Sequence, residues 1–451
     1  MFPLCSGGNG DAIALLPRGQ RPALSAGHII QGGVGIVSGL QLARFEKFST
    51  GTGGMKKIIV LFYSSLLLLA VGISPVPGGE PEGPVRVFYE KSPGGGYDIF
   101  ASNSEVIPMT VKVDLPFLER MTPTEKVPFF KVVPPGTEKL FILGVRPDGN
   151  DPHFRYRFHY YWGDCIEGKH DDSCVYLIPF AHGAKHLLSQ GYHGNRTHVG
   201  ENAYAVDFNM PEGTEIYAAR GGVVFRVKED SDIGGPDASY GKHGNYMHIY
   251  HDDGTFSRYI HLKKDGALVE KGDRVRPGDL IGYSGNTGRS RSPHLHFQVE
   301  KYRIEGGMVT IPARFLGHDG KAVTLECATW YYATHPGKGE YPVRLGRYLS
   351  DGDFIGHAEP IDESGRIEVR KERLDDTFVL FARNGLAVPC EVTVRFTLDN
   401  MVSTRGNPVT VTVPPGRETY LCIVRKRKPA DPSDWEFSFR FRYTYTYKKL
   451  R

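Results

Sequence analysis

Excess charge of either sign is missing from this 451-residue chain. Lys and Arg number 55 and Asp and Glu 51, leaving a formal net charge of +4. So small an imbalance gives no electrostatic reason to propose nucleic acid as a partner. Beyond residue 80 there is neither a long apolar run nor a sustained helical apolar period. No stable membrane span is therefore expected once the amino-terminal segment described below is removed. No C-x-x-C occurs, which excludes a zinc-finger arrangement. The turn "GNTGRS" (285–290) is not followed by Gly-Lys-Ser/Thr, so it is not read as a phosphate-binding loop. What is present is 12% aromatics with 55 Gly and 31 Pro, at an ordinary 40% hydrophobic and 24% charged composition. Strands and turns account for that mixture, and the expected fold is mainly β.

The amino terminus carries "MKKIIVLFYSSLLLLAVGI" at 55–73. Two lysines followed by sixteen uncharged, mostly apolar residues form the pattern of a secretory signal, and sixteen is short for a spanning helix. The small residues Ala70 and Gly72 allow cleavage near there, giving a signal at 55–74. Residues 1–54 then read as an over-extended start outside the mature protein, with Met55 as initiator; the alternative is an uncleaved anchor. The expected location is exported: periplasmic, cell-envelope or secreted. Of five cysteines beyond the signal, Cys165 and Cys174 bracket a short loop suited to a disulfide.

An internal repeat flanks the middle of the chain. "YDIFASNSEVIPMTVKVDL" (97–115) aligns without a gap to "FVLFARNGLAVPCEVTVRF" (378–396), and "VVPPGTEKLFI" (132–142) to "TVPPGRETYLC" (412–422). "FRYRFHYY" (154–161) matches "FSFRFRYTY" (437–445) in the same order. Each copy alternates apolar and polar residues between turn signals, which predicts two related β-sandwich-like domains at 80–165 and 340–451. In this alignment Met109 faces Cys390 and Ile142 faces Cys422. Two core positions having become cysteines together predicts a Cys390–Cys422 disulfide; two buried free thiols are the alternative.

The chemistry lies between the copies, at 170–330. "YAVDF" places Asp207 inside an apolar strand, where an unpaired carboxylate is costly. His261 in "YIHL" and the pair His294 and His296 in "SPHLHFQVE" have the same setting. Residues two apart on a strand share a face, so His294 and His296 sit side by side opposite Leu295, Phe297 and Val299. Alternation alone leaves open whether both bind metal or one works on the reaction. Convergence of these groups on one metal is a simpler account than four separate buried defects. Imidazoles and a carboxylate suit Zn²⁺, and hydrolytic zinc sites keep a fourth position for water.

These motifs resemble the lysostaphin/LytM-type zinc endopeptidases, which cut peptides of bacterial peptidoglycan. The resemblance covers about 175–315 and rests on His198 with Asp207, on "YIHL", on "HLHF" and on "VRPGDLIGYSGNTGRSRSPHLHF". It implies an antiparallel β-sheet metallopeptidase domain holding one Zn²⁺ per chain. It also implies peptidoglycan peptides as partners, His198, Asp207 and His296 as ligands, and His261 and His294 as catalytic histidines. One departure from the family pattern stands out. The usual first His lies four residues before the Asp, where this chain has Ala203; His198 lies nine before it, and His193 is a rival ligand. The remaining histidines, including His182, His186, His243, His248 and His251, are expected on loops or strand faces or lining the groove. Two other readings compete: a catalytically inactive, wall-binding relative that activates another hydrolase, and a biotinyl- or lipoyl-type carrier suggested by "VEKGDRVRPGDLIG". The carrier would need a cofactor-bearing turn lysine, and the signal argues against a cytosolic role. Sequencing the mature amino terminus is expected to find a start near residue 73; a start before Met55 contradicts the signal assignment.

Overall fold

The computed structural model describes residues 83–194, 196–304, 307–427 and 438–451. The expected signal at 55–74 and the initiator Met55 lie outside the described residues. Within them strands are almost the only regular secondary structure, accompanied by a few short 3-10 turns and joined by turns and irregular loops. No described helix is long and apolar enough to cross a membrane. Residues up to Tyr160 form one compact unit and those from Tyr161 onward another.

The first unit contains β1 (Val85–Lys91), β2 (Tyr97–Asn103), β3 (Met109–Glu119), β4 (Met121–Pro123), β5 (Phe129–Val133), β6 (Thr137–Pro147) and all but the last two residues of β7 (His153–Trp162). They form two sheets, ordered β1-β2-β6-β4 and β5-β3-β7. Near the carboxyl terminus, Ile367–Leu374, Thr377–Asn384, Arg417–Lys426 and Met401–Ser403 make one sheet, while Val409–Val413, Cys390–Asp399 and Arg440–Lys449 make another. Counted along the chain, the seven strands of each copy pair in the same order, so the sequence repeat is a repeat of topology.

The shared F-A-x-N motif has a physical role. Asn103 is buried at the end of β2, and its Nδ2 donates to the carbonyls of Ile107 and of Val133 on β5, each at 3.0 Å. Asn384 repeats this, donating to Val388 at 2.8 Å and Val413 at 3.0 Å. Each Oδ1 accepts a backbone N–H two residues on, from Glu105 and from Leu386. One buried amide thereby ties a strand of one sheet to the other sheet while satisfying carbonyls that water cannot reach.

Neither expected disulfide is formed. The Cys165 thiol donates to the Trp162 carbonyl at 3.6 Å and is not bonded to Cys174. Cys390 and Cys422 remain thiols, both fully buried in one apolar cluster with Val392, Val413 and Leu421. They occupy the positions of Met109 and Ile142 as small apolar groups, the usual role of a buried free cysteine. Burial pushes the Cys422 thiol up to about 11, which keeps it protonated and inert.

A nine-stranded sheet lies between the repeats in sequence. Its order is Arg274–Val275, Gly222–Lys228, Tyr246–Tyr250, Phe256–Ile260, His294–Tyr302, Val206–Asn209, Lys185–Gln190 and Thr329–Tyr332, with Met308–Ile311 paired to His294–Tyr302. One face presents Leu188, Phe208, Met247, Ile249, Tyr259, Leu295, Phe297 and Val299 to the largest apolar core. The other face carries the polar residues of the strands. At the Lys185 end, Lys185 Nζ donates to Asp375 Oδ1 at 2.5 Å and to the Arg344 carbonyl at 3.0 Å, joining this sheet to the carboxyl-terminal strands. Replacing Asn103 or Asn384 with Ala leaves buried carbonyls unsatisfied, and each is expected to cost about 1–3 kcal/mol of stability in urea unfolding. Midpoints unchanged from wild type contradict the bridging role.

Candidate metal centre

The polar face of the sheet is organised by register. Asp207 stands directly opposite His296 across adjacent antiparallel strands, and His296 stands opposite Ile260 on its other side. His296 Nδ1 lies 2.8 Å from Asp207 Oδ1. His198 arrives from the loop before the Val206–Asn209 strand, placing Nε2 3.2 Å from the same oxygen. The ligating atoms of His198, Asp207 and His296 all lie within 4.8 Å of one another, and all three residues are buried.

The nine-residue spacing from His198 to Asp207 is absorbed by the backbone. A 3-10 turn at Gly200–Asn202, begun by Gly200 at φ 57°, takes up the extra length. His193 N–H donates to Ala203 O at 2.6 Å and closes the loop at its base. His193 has a left-handed φ of 56° and packs against Tyr204, outside the cluster. The structure thus brings His198 to Asp207 and His296 and leaves its rival apart.

Each imidazole has its tautomer set by a partner. His198 Nδ1 donates to the Gly191 carbonyl at 2.8 Å, which leaves the Nε2 lone pair facing Asp207. His296 is fixed in the opposite sense: Nε2 donates to Gln298 Oε1 at 2.8 Å, which frees Nδ1. Gln298 is itself oriented by donating to Glu300 Oε2. Gln190 Nε2 donates to Asp207 Oδ2 at 3.0 Å, leaving Oδ1 to the two imidazoles. His198 Nε2 is buried and makes no hydrogen bond among the described residues. Two lone pairs and a carboxylate oxygen converging on one point, one of them an orphaned buried nitrogen, fit a zinc ion and leave a position open.

Two further imidazoles stand beside this cluster. His261 donates from Nδ1 to the Thr287 carbonyl at 2.7 Å, and His294 from Nδ1 to the Ser292 carbonyl at 2.8 Å. Both therefore present Nε2, and their ring centroids are 4.5 Å apart. His294 Nε2 lies 3.9 Å from Asp207 Oδ1. His261 has a φ of 67°, a costly left-handed conformation for a non-glycine residue. It is held there because the next carbonyl, of Leu262, accepts from Asn245 Nδ2 and Thr287 Oγ1.

Burial opposes the charge on Asp207, but the neighbouring His198 and His294 outweigh it and hold the carboxyl well below the usual range. Burial likewise opposes protonation of His198, and Asp207 reverses it, raising the imidazole. His296 is lowered, chiefly by burial. His261 is pushed down to about 3 by burial and then by His294 and His296, so it is neutral near pH 7.

The residues expected from the sequence, His198, Asp207, His261, His294 and His296, meet in this one place. Sequence reasoning missed Gln190, Gln298 and Glu300. A signal existed for two of them: positions 294, 296, 298 and 300 are all polar and alternate with Leu295, Phe297 and Val299. The Gly191 and Thr287 carbonyls left no signal, being backbone groups.

Residues 201–305 match Peptidase family M23, a span that includes Asp207, His261, His294 and His296; His198 lies just before it. An uncharacterized metalloprotease of Buchnera aphidicola is 35% identical over 131 residues, covering 28% of this chain and 32% of that protein. The peptidoglycan DD-endopeptidase ShyA of Vibrio cholerae is 43% identical over 93 residues, 21% of this chain and 19% of that one. This chain thus spans a third or less of the length of these curated relatives. The solved catalytic domain of lysostaphin from Staphylococcus simulans is 30% identical, covering 26% of this chain and 78% of that domain with a TM-score of 0.19.

Measured by elemental analysis, His198→Ala and His296→Ala proteins are expected to lose most bound zinc, whereas His193→Ala and His294→Ala keep it. Gln298→Ala is expected to weaken zinc affinity about 10- to 100-fold, since it orients a ligand. Zinc lost in His193→Ala but kept in His198→Ala would reverse the ligand assignment.

Proposed function

From the peptidase family M23 domain at residues 201–305, we propose that this protein is an exported zinc-dependent endopeptidase. It hydrolyses peptide bonds in the stems or cross-bridges of bacterial cell-wall peptidoglycan and holds one zinc per chain. The observation that carries the reading is the tautomer arrangement: His198, Asp207 and His296 offer three donors to one point, and His261 and His294 add two Nε2 atoms beside it. Similarity to a relative named a peptidoglycan DD-endopeptidase supports the substrate class. The signal-like segment at 55–73 supports export.

Bound zinc supplies Lewis acidity, which lowers the pKa of water so that a nucleophile is available near neutral pH. The chain's own residues do the rest. Asp207, buried and held ionised, partly offsets the cation's charge. His261 and His294 are each anchored through Nδ1, so neither ring can turn away. An Nε2 lone pair accepts a proton from the attacking water. A ring that has taken a proton becomes a donor at Nε2, able to hydrogen-bond the substrate oxygen as negative charge develops or to pass the proton to the leaving amine. Every position expected of an active enzyme is occupied, which favours catalysis over the inactive wall-binding reading.

The purified mature protein is expected to hold about one zinc and to solubilise purified peptidoglycan. Activity should disappear on chelation and return with added zinc. His294→Ala should keep its metal and lose turnover about 100-fold or more, as removal of a positioned acid–base group does. A zinc-loaded wild-type protein inert on several peptidoglycan types contradicts this function.

A further inference from the structure

The polar face of the sheet continues beyond the metal cluster. Residues directly paired across the strands form rows about 7 Å apart, the spacing of every second residue along a strand. The metal row runs Tyr246, Ile260, His296, Asp207. The next runs Arg226, His248, Arg258, Gln298. Beyond it, Tyr250, Phe256 and Tyr302 pack with Phe225 and Trp162 as an aromatic wall.

The second row is polar and incompletely satisfied. His248 is 3% exposed, and neither ring nitrogen has a hydrogen-bond partner among the described residues. Arg226 and Arg258 flank it in register. The Arg226 guanidinium lies over Trp162, 4.0 Å from the ring centroid, and makes no ion pair among the described residues. Arg258 lies 5.5 Å from the Tyr246 centroid, and its one described ion pair is a loose 4.0 Å contact with Glu300. Its Nε is buried without a partner. Burial, with Arg258 and Arg226 beside it, holds the His248 imidazole neutral, so it does not compete as a third cation. Two half-buried, loosely engaged guanidiniums beside an unpartnered imidazole have the chemistry to receive an anion. Glu300, buried in the following row, reaches Arg258 only through the 4.0 Å contact of Oε2, which also accepts from Gln298, and its Oε1 has no hydrogen-bond partner among the described residues, so it leaves both guanidiniums loosely engaged.

Resting on the peptidase reading above, we infer that Arg226, His248 and Arg258 form a subsite for a carboxylate of the peptide substrate. The row spacing places that carboxylate about two residues from the scissile bond. The subsite confers a preference for substrates that carry a free acid there over the carboxamide.

The test uses matched synthetic peptidoglycan peptides, free acid and carboxamide at that position. Zinc-loaded wild-type protein is expected to cleave the acid with kcat/KM about 10- to 100-fold above the amide, the range of one charge-assisted bidentate contact. Arg226→Gln and Arg258→Gln should raise KM for the acid towards that of the amide, and Arg226→Gln, which touches none of the groups that orient His296, should leave kcat, zinc content and amide cleavage unchanged. Equal cleavage of acid and amide by wild type, or equal losses on both in the variants, overturns the subsite. Should Arg258→Gln not fold, the wild-type comparison and Arg226→Gln still decide. Calorimetric binding of both peptides to zinc-loaded His294→Ala protein separates the two claims. Acid-selective binding by a protein whose wild type cleaves no peptidoglycan keeps the subsite and rejects the hydrolase. Cleavage without selectivity does the reverse.

Discussion

Asp207 faces His296 across two antiparallel strands, and everything else in the site is arranged around that pair. Strand residues alternate faces, so a slip of one residue would send both into the core and bring Phe208 and Phe297 out to the polar side. What prevents the slip is the other face, where Leu295, Phe297, Val299, Phe208 and Tyr259 are fully buried. Each such side chain stabilises the register by roughly 1.5–3 kcal/mol. The apolar core therefore sets the position of the polar groups, and the candidate metal site needs no separate scaffold. The same register places Gln298 and Glu300 behind His296, and Arg226, His248 and Arg258 one row further along.

Much of this was legible in the sequence. Polar residues inside apolar strands, such as Asp207 in "YAVDF" and the pair in "PHLHF", cannot be buried alone without cost, so their convergence followed from physics. Which pairs meet was not legible, because register between distant segments depends on the whole core. The choice between His193 and His198 also needed coordinates: it turns on a 3-10 turn and on the Gly191 carbonyl, a backbone group with no side-chain signature. The cysteines misled for a related reason. Joint replacement of Met109 and Ile142 by Cys390 and Cys422 fits a disulfide, but it fits equally two small apolar side chains in one core, which is what the structure contains.

The flanking strands show how a repeat can be read through its buried polar groups. The asparagine of the F-A-x-N motif is a bridge between sheets, made with the corresponding carbonyls in both copies. That explains why the asparagine is matched in both copies while the residues beside it differ. Apolar core positions can exchange with one another at modest cost, whereas removing this amide strands several carbonyls at once.

The central claim is that two imidazoles of opposite tautomer, with one carboxylate, hold the metal, while His261 and His294 stand beside it uncoordinated. Zinc-edge X-ray absorption on the purified protein tests this most directly. The account predicts a four-coordinate zinc with two imidazole nitrogens and two oxygens at about 2.0–2.2 Å, one oxygen from Asp207 and one from water. A first shell of three or four imidazoles would contradict it, because His294 or His193 would then be a ligand and the division of roles along the sheet would fail.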